Sequence, residues 1–146
     1  MSAHEAKAEM LIQSSVHSVF DAFVNPETIV QFWLAKTSGA LALGATVKWQ
    51  FMVPGAEETV KVTGLSAPNH LSFDWSDGTH VEMQFTSQSF ESTVVRVLAS
   101  GFKELAEAIN ATEGFSIVLC DLKTLLESGV SANLVRDKAR LIAEAK

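Results

Sequence analysis

The sequence is poor in the features that mark secreted, membrane-bound or nucleic-acid-binding proteins. Its one cysteine, Cys120, has no second cysteine in the chain with which to form a disulfide. No apolar run approaches the roughly 18 residues of a membrane-spanning helix, and residues 1–7 lack the apolar segment of a signal peptide. With 11 lysines and arginines against 17 acidic residues, the net charge of −6 leaves no basic surface for nucleic acid or anionic lipid. These absences predict a cytoplasmic protein that binds neither nucleic acid nor a membrane.

Histidine, the commonest metal ligand, occurs only four times and never with the spacing of a metal site. His80 and Glu82 lie on the same face of a predicted strand, where they could touch a metal ion. They alternate with Val81 and Met83, however, which an amphipathic strand turns towards the core. We therefore expect His80 and Glu82 to face solvent, and we predict no metal ion and no cofactor.

Candidate catalytic groups are equally few. Cys120 has no cationic neighbour in the sequence that would stabilise a thiolate, so we expect an unreactive thiol. Asp74 and Asp77 flank a predicted turn, where aspartate is favoured for backbone reasons, and no acid–base partner accompanies them. Arg96 faces solvent if its flanking valines face the core, but it is a buried cation and a functional candidate if the strand is turned the other way. No catalytic residue is predicted, and an enzyme is the least favoured class of function.

The chain instead has a large apolar fraction, 47%, much of it in an alternating pattern. Alternation of apolar and polar residues is the period of a half-buried strand, and it predicts about six or seven antiparallel strands. Turns at Pro54-Gly55 and Asp77-Gly78 separate neighbouring strands. The predicted strand segments are residues 6–13, 46–53, 57–65, 71–75, 79–87 and 92–99.

Helical spacing appears at both ends of the chain. Two short helices are predicted after the first strand, separated at Asn25-Pro26 because proline disfavours helical geometry in the residue before it. A long helix is predicted over residues 113–128, with an apolar stripe on one face. The stripe consists of Phe115, Val118, Leu119, Leu122, Leu125 and Leu126. A stripe of this length must be buried, and the predicted sheet is its natural partner.

The ends of the long helix also have sequence signals. Asn110 and Glu113 have the spacing of a capping box, so residues 103–112 are expected to form a separate short helix. Gly129 is expected to end the long helix in a left-handed conformation. Ser131 is then expected to cap a further helix in the tail.

The segment 16–33 has a distinctive set of residues in a fixed order: Val19, Phe20, Asp21, Ala22, Asn25, Pro26 and Trp33. This set resembles the opening of the START-like SRPBCC superfamily, in the branch related to the activator of the 90-kDa heat-shock-protein ATPase. Further similarity follows at residues 43–45, 71–75, 79–81 and 100–102, so the resemblance extends over nearly the whole chain. The segment 103–112 and the tail depart from the family pattern, and either could cover a cavity or build an interface.

The resemblance implies an α+β helix-grip fold, in which a curved antiparallel sheet wraps a long carboxyl-terminal helix. We expect a single domain over residues 1–146, with 130–146 as an extra helical tail. The implied function is non-catalytic binding of a hydrophobic or amphipathic small molecule between the sheet and the long helix; whether that space is hollow or filled stays open. The candidate ligand-binding residues are Phe32, Trp33, Trp49, Phe51, Phe73, Trp75, Met83, Phe85, Phe115, Leu119, Leu122 and Leu126.

Two other classes of function stay as alternatives. One is a stress-related protein-interaction module, such as a regulator of a heat-shock chaperone; the other is a cyclase or dehydratase, as some START-like relatives are. A homodimer is a further candidate, because Ile117 lies off the main stripe and the tail has apolar residues at heptad spacing. Those tail residues are Leu134, Val135, Leu141 and Ile142. The alternative is that the tail folds back onto its own sheet.

Overall fold

The computed structural model describes residues 4–145, which form seven strands and four helices. In chain order the elements are β1 (His4–Ile12), α1 (Val16–Val24), α2 (Pro26–Phe32), β2 (Leu34–Thr37), β3 (Thr46–Phe51), β4 (Glu57–Ser66), β5 (His70–Trp75), β6 (His80–Ser89), β7 (Ser92–Phe102), α3 (Leu105–Ser128) and α4 (Leu134–Glu144). The predicted break between the first two helices is confirmed, since the Asn25 side chain accepts a hydrogen bond from the Glu27 N–H and caps α2.

All seven strands belong to one antiparallel sheet, in the order β1-β7-β6-β5-β4-β3-β2. Strands that follow one another in the chain are neighbours from β2 to β7, and β1 closes the far edge by pairing with β7. The long helix α3 packs against β1 and β7, while α1 and α2 lie between the first two strands in sequence. This arrangement confirms the predicted α+β helix-grip fold, in which a curved sheet holds the long helix.

The apolar stripe of α3 faces the sheet as predicted. Its residues Phe115, Val118, Leu119, Leu122 and Leu125 are buried, and Leu126 is partly buried against the same core. Aromatic side chains of the sheet fill the opposite side; Trp49 and Phe73, for example, have ring centroids 5.4 Å apart in an edge-to-face contact. Side chains therefore occupy the middle of the space between sheet and helix.

The prediction of a separate helix before residue 113 is wrong, because α3 is continuous from Leu105 to Ser128. Its capping box lies at Glu104 and Glu107, where the Glu104 N–H donates to Glu107 Oε1 at 3.1 Å. Ala108 is buried, so the first turns of α3 are held by packing and the Asn110 signal does not interrupt them. No helix within residues 4–145 is both long and apolar enough to cross a membrane.

The tail helix is present, but its start differs from the prediction. Gly129 ends α3 with a φ of 86°, as expected, whereas α4 begins at Leu134 with Asn133 in the N-cap position. Ser131 is not the N-cap; its hydroxyl oxygen accepts a hydrogen bond from the Asn133 N–H at 3.0 Å and its O–H donates to Asp121. The cap prediction failed because the partner of Ser131 lies ten residues earlier, on α3.

Two further points concern the strands. The short edge strand β2 was not predicted, because its four residues include only one buried side chain, Leu34, and show no clear alternation. Arg96 faces solvent and pairs with Glu9 on β1, while Val95 and Val97 are buried. The first of the two sequence interpretations of Arg96 is therefore confirmed.

Candidate functional site

An apolar groove opens at one end of the fold, between α3, α4 and the turn that joins β3 to β4. Its volume is about 310 Å³. The lining residues are Trp33, Phe51, Met52, Val53, Ala56 and Trp75 on the sheet side, Ala111, Gly114, Phe115, Ile117 and Val118 on α3, and Val135, Lys138, Ala139 and Ile142 on α4. Apolar side chains from distant parts of the chain thus converge on one concave surface.

Aromatic rings in mutual contact form the floor of the groove. The ring centroids of Trp33 and Trp75 are 6.5 Å apart, those of Phe51 and Trp75 are 5.9 Å apart, and those of Trp33 and Phe115 are 6.0 Å apart. Two of these contacts are edge-to-face, a geometry that aromatic pairs favour. Because each ring is held by its neighbours, the floor is a preformed apolar surface.

Gly114 gives the groove part of its depth. It lies in the interior of α3, where glycine costs roughly 0.5–1 kcal/mol relative to alanine. A β carbon built at Gly114 would find no other residue within 4 Å, so a side chain there would enter the groove. The glycine therefore lowers the stability of the helix and leaves the groove open.

The outer wall of the groove is α4, which is attached to α3 by polar contacts near residue 133. The buried carboxylate of Asp121, 1% exposed, accepts hydrogen bonds from the Val135 N–H at 3.0 Å and from the Ser131 hydroxyl. The hydroxyl oxygen of Thr124 accepts a hydrogen bond from the Ala132 N–H at 2.9 Å. Because the side chain at the N-cap position of α4 makes no capping bond, Asp121 supplies both the cap and a favourable charge at this helix end.

An ion pair lies at the edge of the groove. Lys138 Nζ on α4 is 3.0 Å from Glu113 Oε1 on α3. Lys138 lines the groove and Glu113 does not. The pair adds a second link between the two helices and brings one positive charge to an otherwise apolar site.

The structure divides the twelve predicted ligand-binding residues into two groups. Trp33, Phe51, Trp75 and Phe115 line the groove. The core holds Phe32, Trp49, Phe73, Met83, Phe85, Leu119 and Leu122, each at most 1% exposed, and Leu126 packs against it. The groove thus lies beside the predicted space between the sheet and the long helix, and only four of the twelve predicted residues line it.

Several lining residues were not indicated as ligand-binding by the sequence. Those on α4 and on the β3–β4 turn come together only through the folding back of α4. Two signals were available: Ile117 lies off the main stripe of α3, and the tail has apolar residues such as Val135 and Ile142 at heptad spacing. Both signals are compatible with a dimer contact or with a tail that folds back, and the structure places Ile117, Val135 and Ile142 in the groove. The tail folds back mainly onto α3 and not across the sheet.

The outer face of the sheet has a separate polar cluster around His80. Its Nδ1 is 2.5 Å from Asp74 Oδ1 and its Nε2 is 3.0 Å from Glu82 Oε2, while His70 Nε2 is 2.7 Å from Glu82 Oε1. The side chains of His80 and Glu82 are 33% and 42% exposed, on the solvent side as predicted. Within residues 4–145, no three histidine, cysteine or acidic side chains are arranged to hold a metal ion.

This cluster favours a protonated His80. Burial alone would lower its pKa, but hydrogen bonds to Asp74 and Glu82 outweigh burial and leave the pKa above the ordinary value of 6.5. Hydrogen bonds from His70 and His80 hold the pKa of Glu82 below its ordinary value of 4.5. The raised pKa of His80 stabilises the fold at low pH, and this stabilisation is lost as the pH rises. The lowered pKa of Glu82 stabilises the fold at higher pH, and this stabilisation is lost as the pH falls. The cluster therefore stabilises most between the two ordinary values.

Comparison with known proteins places the fold in a family. Residues 13–127 match the sequence profile of the family described as "Activator of Hsp90 ATPase homolog 1-like protein", which is most of the chain. The chain belongs to this family. A comparison with curated proteins finds no match. The match confirms the resemblance seen in the sequence, and it ends before α4 begins.

Solved structures share the fold of this family member. A protein from Staphylococcus saprophyticus is 25% identical, with a TM-score of 0.79 over 88% of this chain and 95% of its own. Aha1 from Colwellia psychrerythraea, solved in solution as a dimer, is 22% identical, with a TM-score of 0.79 over 86% of this chain and 98% of its own. DynU16, a protein of a dynemicin biosynthetic locus, is 20% identical, with a TM-score of 0.78 over 87% of this chain and 48% of its own. The last two likenesses show the fold alone.

Proposed function

We propose that this protein binds an apolar or amphipathic small molecule in the groove beneath α4. The observation that carries the proposal is the groove itself: about 310 Å³ of space with an almost wholly apolar lining. This volume is at the lower end of the roughly 300–1,000 Å³ of small-molecule sites. Apolar surface that a ligand covers there leaves water, which favours binding by about 25 cal/mol per Å².

The chemistry of the lining supports binding in preference to catalysis. None of the described residues that line the groove has a carboxylate, imidazole, thiol or hydroxyl group. General acid–base catalysis uses one of these groups or a lysine, and the lysine of the lining, Lys138, is ion-paired with Glu113. The polar cluster around His80 lies on the outer face of the sheet, apart from the groove, and its members are hydrogen-bonded to one another.

A titration with a neutral fluorescent probe, N-phenyl-1-naphthylamine, tests this proposal. Binding in the groove should raise the probe's fluorescence saturably at one site per chain, and should change the emission of Trp33 and Trp75. Gly114→Leu fills the groove from α3 and should weaken binding at least tenfold, since a well-packed site tolerates added volume poorly.

Two control variants accompany the titration. Gly114→Ala adds one methyl group at the same position, where a β carbon meets no other residue within 4 Å, and should weaken binding much less than Gly114→Leu does. Asn110→Leu adds the same side chain as the blocking variant at an exposed position outside the groove lining, and should leave the affinity unchanged. Equal affinities for wild type and Gly114→Leu would place the probe elsewhere and contradict the proposal.

We also propose that a second copy of the chain docks on the exposed apolar side chains near the start of α3 and the end of α4. Leu105, Ile109 and Leu141 are 58%, 59% and 65% exposed. Since Lys138 contacts Glu113, the later residues of α4 lie towards the start of α3. The Colwellia member of the fold was solved as a dimer. Sedimentation velocity should show a dimer that dissociates in Ile109→Glu combined with Leu141→Glu; an unchanged mass in that variant would contradict the proposal.

A further inference from the structure

The lining of the groove includes a charged side chain. Among the described residues that line the groove, Lys138 alone is charged, and none is acidic. Its ammonium group reaches Glu113 at 3.0 Å, and lysine stems in general cover apolar surface while the charged end stays near water. A ligand whose apolar part fills the groove would therefore bring its polar end to a cation.

We propose that Lys138 makes the groove selective for amphipathic carboxylates. The inference rests on the proposed binding function and specifies the ligand class. A carboxylate accepts a charge-assisted hydrogen bond from an ammonium group, a contact stronger than one between neutral groups. A neutral alcohol gains less from the same contact, and an ammonium ligand meets a like charge.

Glu113 is the carboxylate that now holds Lys138, and a ligand can compete with it. The Glu113 side chain is 55% exposed and that of Lys138 is 33% exposed. An ion pair this open to water is weak, because solvent screens it and both side chains lose freedom in forming it. Lys138 lines the groove and Glu113 does not, so a ligand in the groove meets Lys138 and leaves Glu113 outside the site.

The volume of the groove limits the length of the apolar part. About 310 Å³ is at the lower end of the volumes of small-molecule sites. A single straight chain of medium length is therefore a better match than a long or branched lipid. Decanoate is a suitable probe, and 1-decanol is its neutral counterpart with the same chain.

Isothermal titration of both probes into wild type and Lys138→Met tests the inference. Methionine keeps an unbranched apolar stem and removes the charge, so the variant changes the polar end of the site and little else. We expect decanoate to lose about fivefold to tenfold in affinity and 1-decanol to change by less than twofold. The ratio of these two changes cancels the different water solubilities of the two probes.

Two more variants separate charge from structure. Lys138→Arg retains a cation and should keep most of the affinity for decanoate. Glu113→Gln removes the competing carboxylate, so decanoate affinity should rise about twofold or more while 1-decanol affinity stays constant. If the Lys138–Glu113 pair only holds the two helices together, Lys138→Met and Glu113→Gln should each weaken the binding of decanoate and of 1-decanol by the same factor.

The results distinguish this inference from the function on which it rests. A loss of affinity in Lys138→Met that is larger for decanoate than for 1-decanol supports the carboxylate selectivity. Equal effects of Lys138→Met on decanoate and 1-decanol overturn the carboxylate selectivity and leave the groove as a general apolar site. Failure of decanoate, 1-decanol and N-phenyl-1-naphthylamine to bind wild type overturns both proposals.

Discussion

Replacing Asp121 with alanine should release α4 and remove the outer wall of the groove. The Asp121 carboxylate is 1% exposed and joins α3 to the start of α4 through the Val135 N–H and the Ser131 hydroxyl. The rest of α4 is weakly attached, since Ala139 is its only buried residue. The stability of the outer wall therefore depends largely on one side chain of the neighbouring helix.

The size of the effect follows from these contacts. A hydrogen bond to a charged group contributes about 1.5–3 kcal/mol, and Asp121→Ala removes two. Part of this loss is recovered, because the freed N–H and hydroxyl groups reach water when α4 moves away. We expect the free energy of α4 detachment to fall by about 2–3 kcal/mol, which speeds amide exchange in α4 by roughly 30- to 150-fold.

Hydrogen–deuterium exchange with mass spectrometry measures this change directly on peptides covering residues 134–144. Asp137→Ala is the matched control, because Asp137 is an exposed acid in the first turn of the same helix. The control should alter exchange by less than threefold, as expected for loss of a favourable helix-end charge alone. Ser131→Ala removes one of the two contacts and should give an intermediate rate.

Exchange in α4 that is the same in wild type, Asp121→Ala and Asp137→Ala would refute the role of Asp121. A uniform increase over the whole of α3 and the sheet would also count against it, since that pattern indicates general destabilisation. Binding of N-phenyl-1-naphthylamine provides a second readout. It should weaken in Asp121→Ala and stay constant in Asp137→Ala.

Three other changes have measurable outcomes. Gly114→Ala should raise the free energy of unfolding, measured in urea, by about 0.5–1 kcal/mol, because alanine is the better helix residue and its methyl group meets no other residue. A loss of stability would contradict the open space beside Gly114. His80→Asn should lower the free energy of unfolding by a few tenths of a kcal/mol at pH 5.5 and by less at pH 8, because the His80 ring stabilises the fold only when it is protonated. An equal loss at both pH values would show that protonation is irrelevant. Leu122→Ala, at a position that is 0% exposed, should lower the free energy of unfolding by about 2–5 kcal/mol in the same urea assay. A loss below about 1 kcal/mol would show that the core is loosely packed around Leu122.

The sheet and the packed face of α3 could be predicted because local periodicity determines them. Alternation places Trp49 and Phe73 inside, and the helical stripe places Leu119 and Leu122 against them. Each of these signals lies within one short segment. Gly129 is a similar case, because a glycine after the last periodic residue is a sufficient signal for the left-handed end of a helix.

The start of α3 shows where local signals mislead. Asn110 and Glu113 have the spacing of a capping box, but the same spacing also occurs inside continuous helices. What decides the boundary is the burial of Ala108 together with the capping box at Glu104, and burial depends on the folded sheet. Helix boundaries of this kind need tertiary information.

The groove could not be predicted because it depends on contacts between distant residues. Asp121 and Val135 are 14 positions apart, and their hydrogen bond determines where α4 lies. The direction in which α4 folds back in turn decides whether Ile117 and Ile142 face a partner molecule or a groove. The sequence shows that both residues are apolar and that Ile117 lies outside the main stripe of α3, but it does not show what either residue faces.

The most direct test of ligand binding is an NMR titration of the isotope-labelled protein with N-phenyl-1-naphthylamine. We predict saturable shifts at the amides and methyl groups of Gly114, Ile117, Val135 and Ile142, on the two helices that face each other across the groove. The methyl groups of Leu122, in the closed core, should shift much less. An absence of shifts at saturating probe, or shifts confined to residues outside the groove, would contradict a binding site beneath α4.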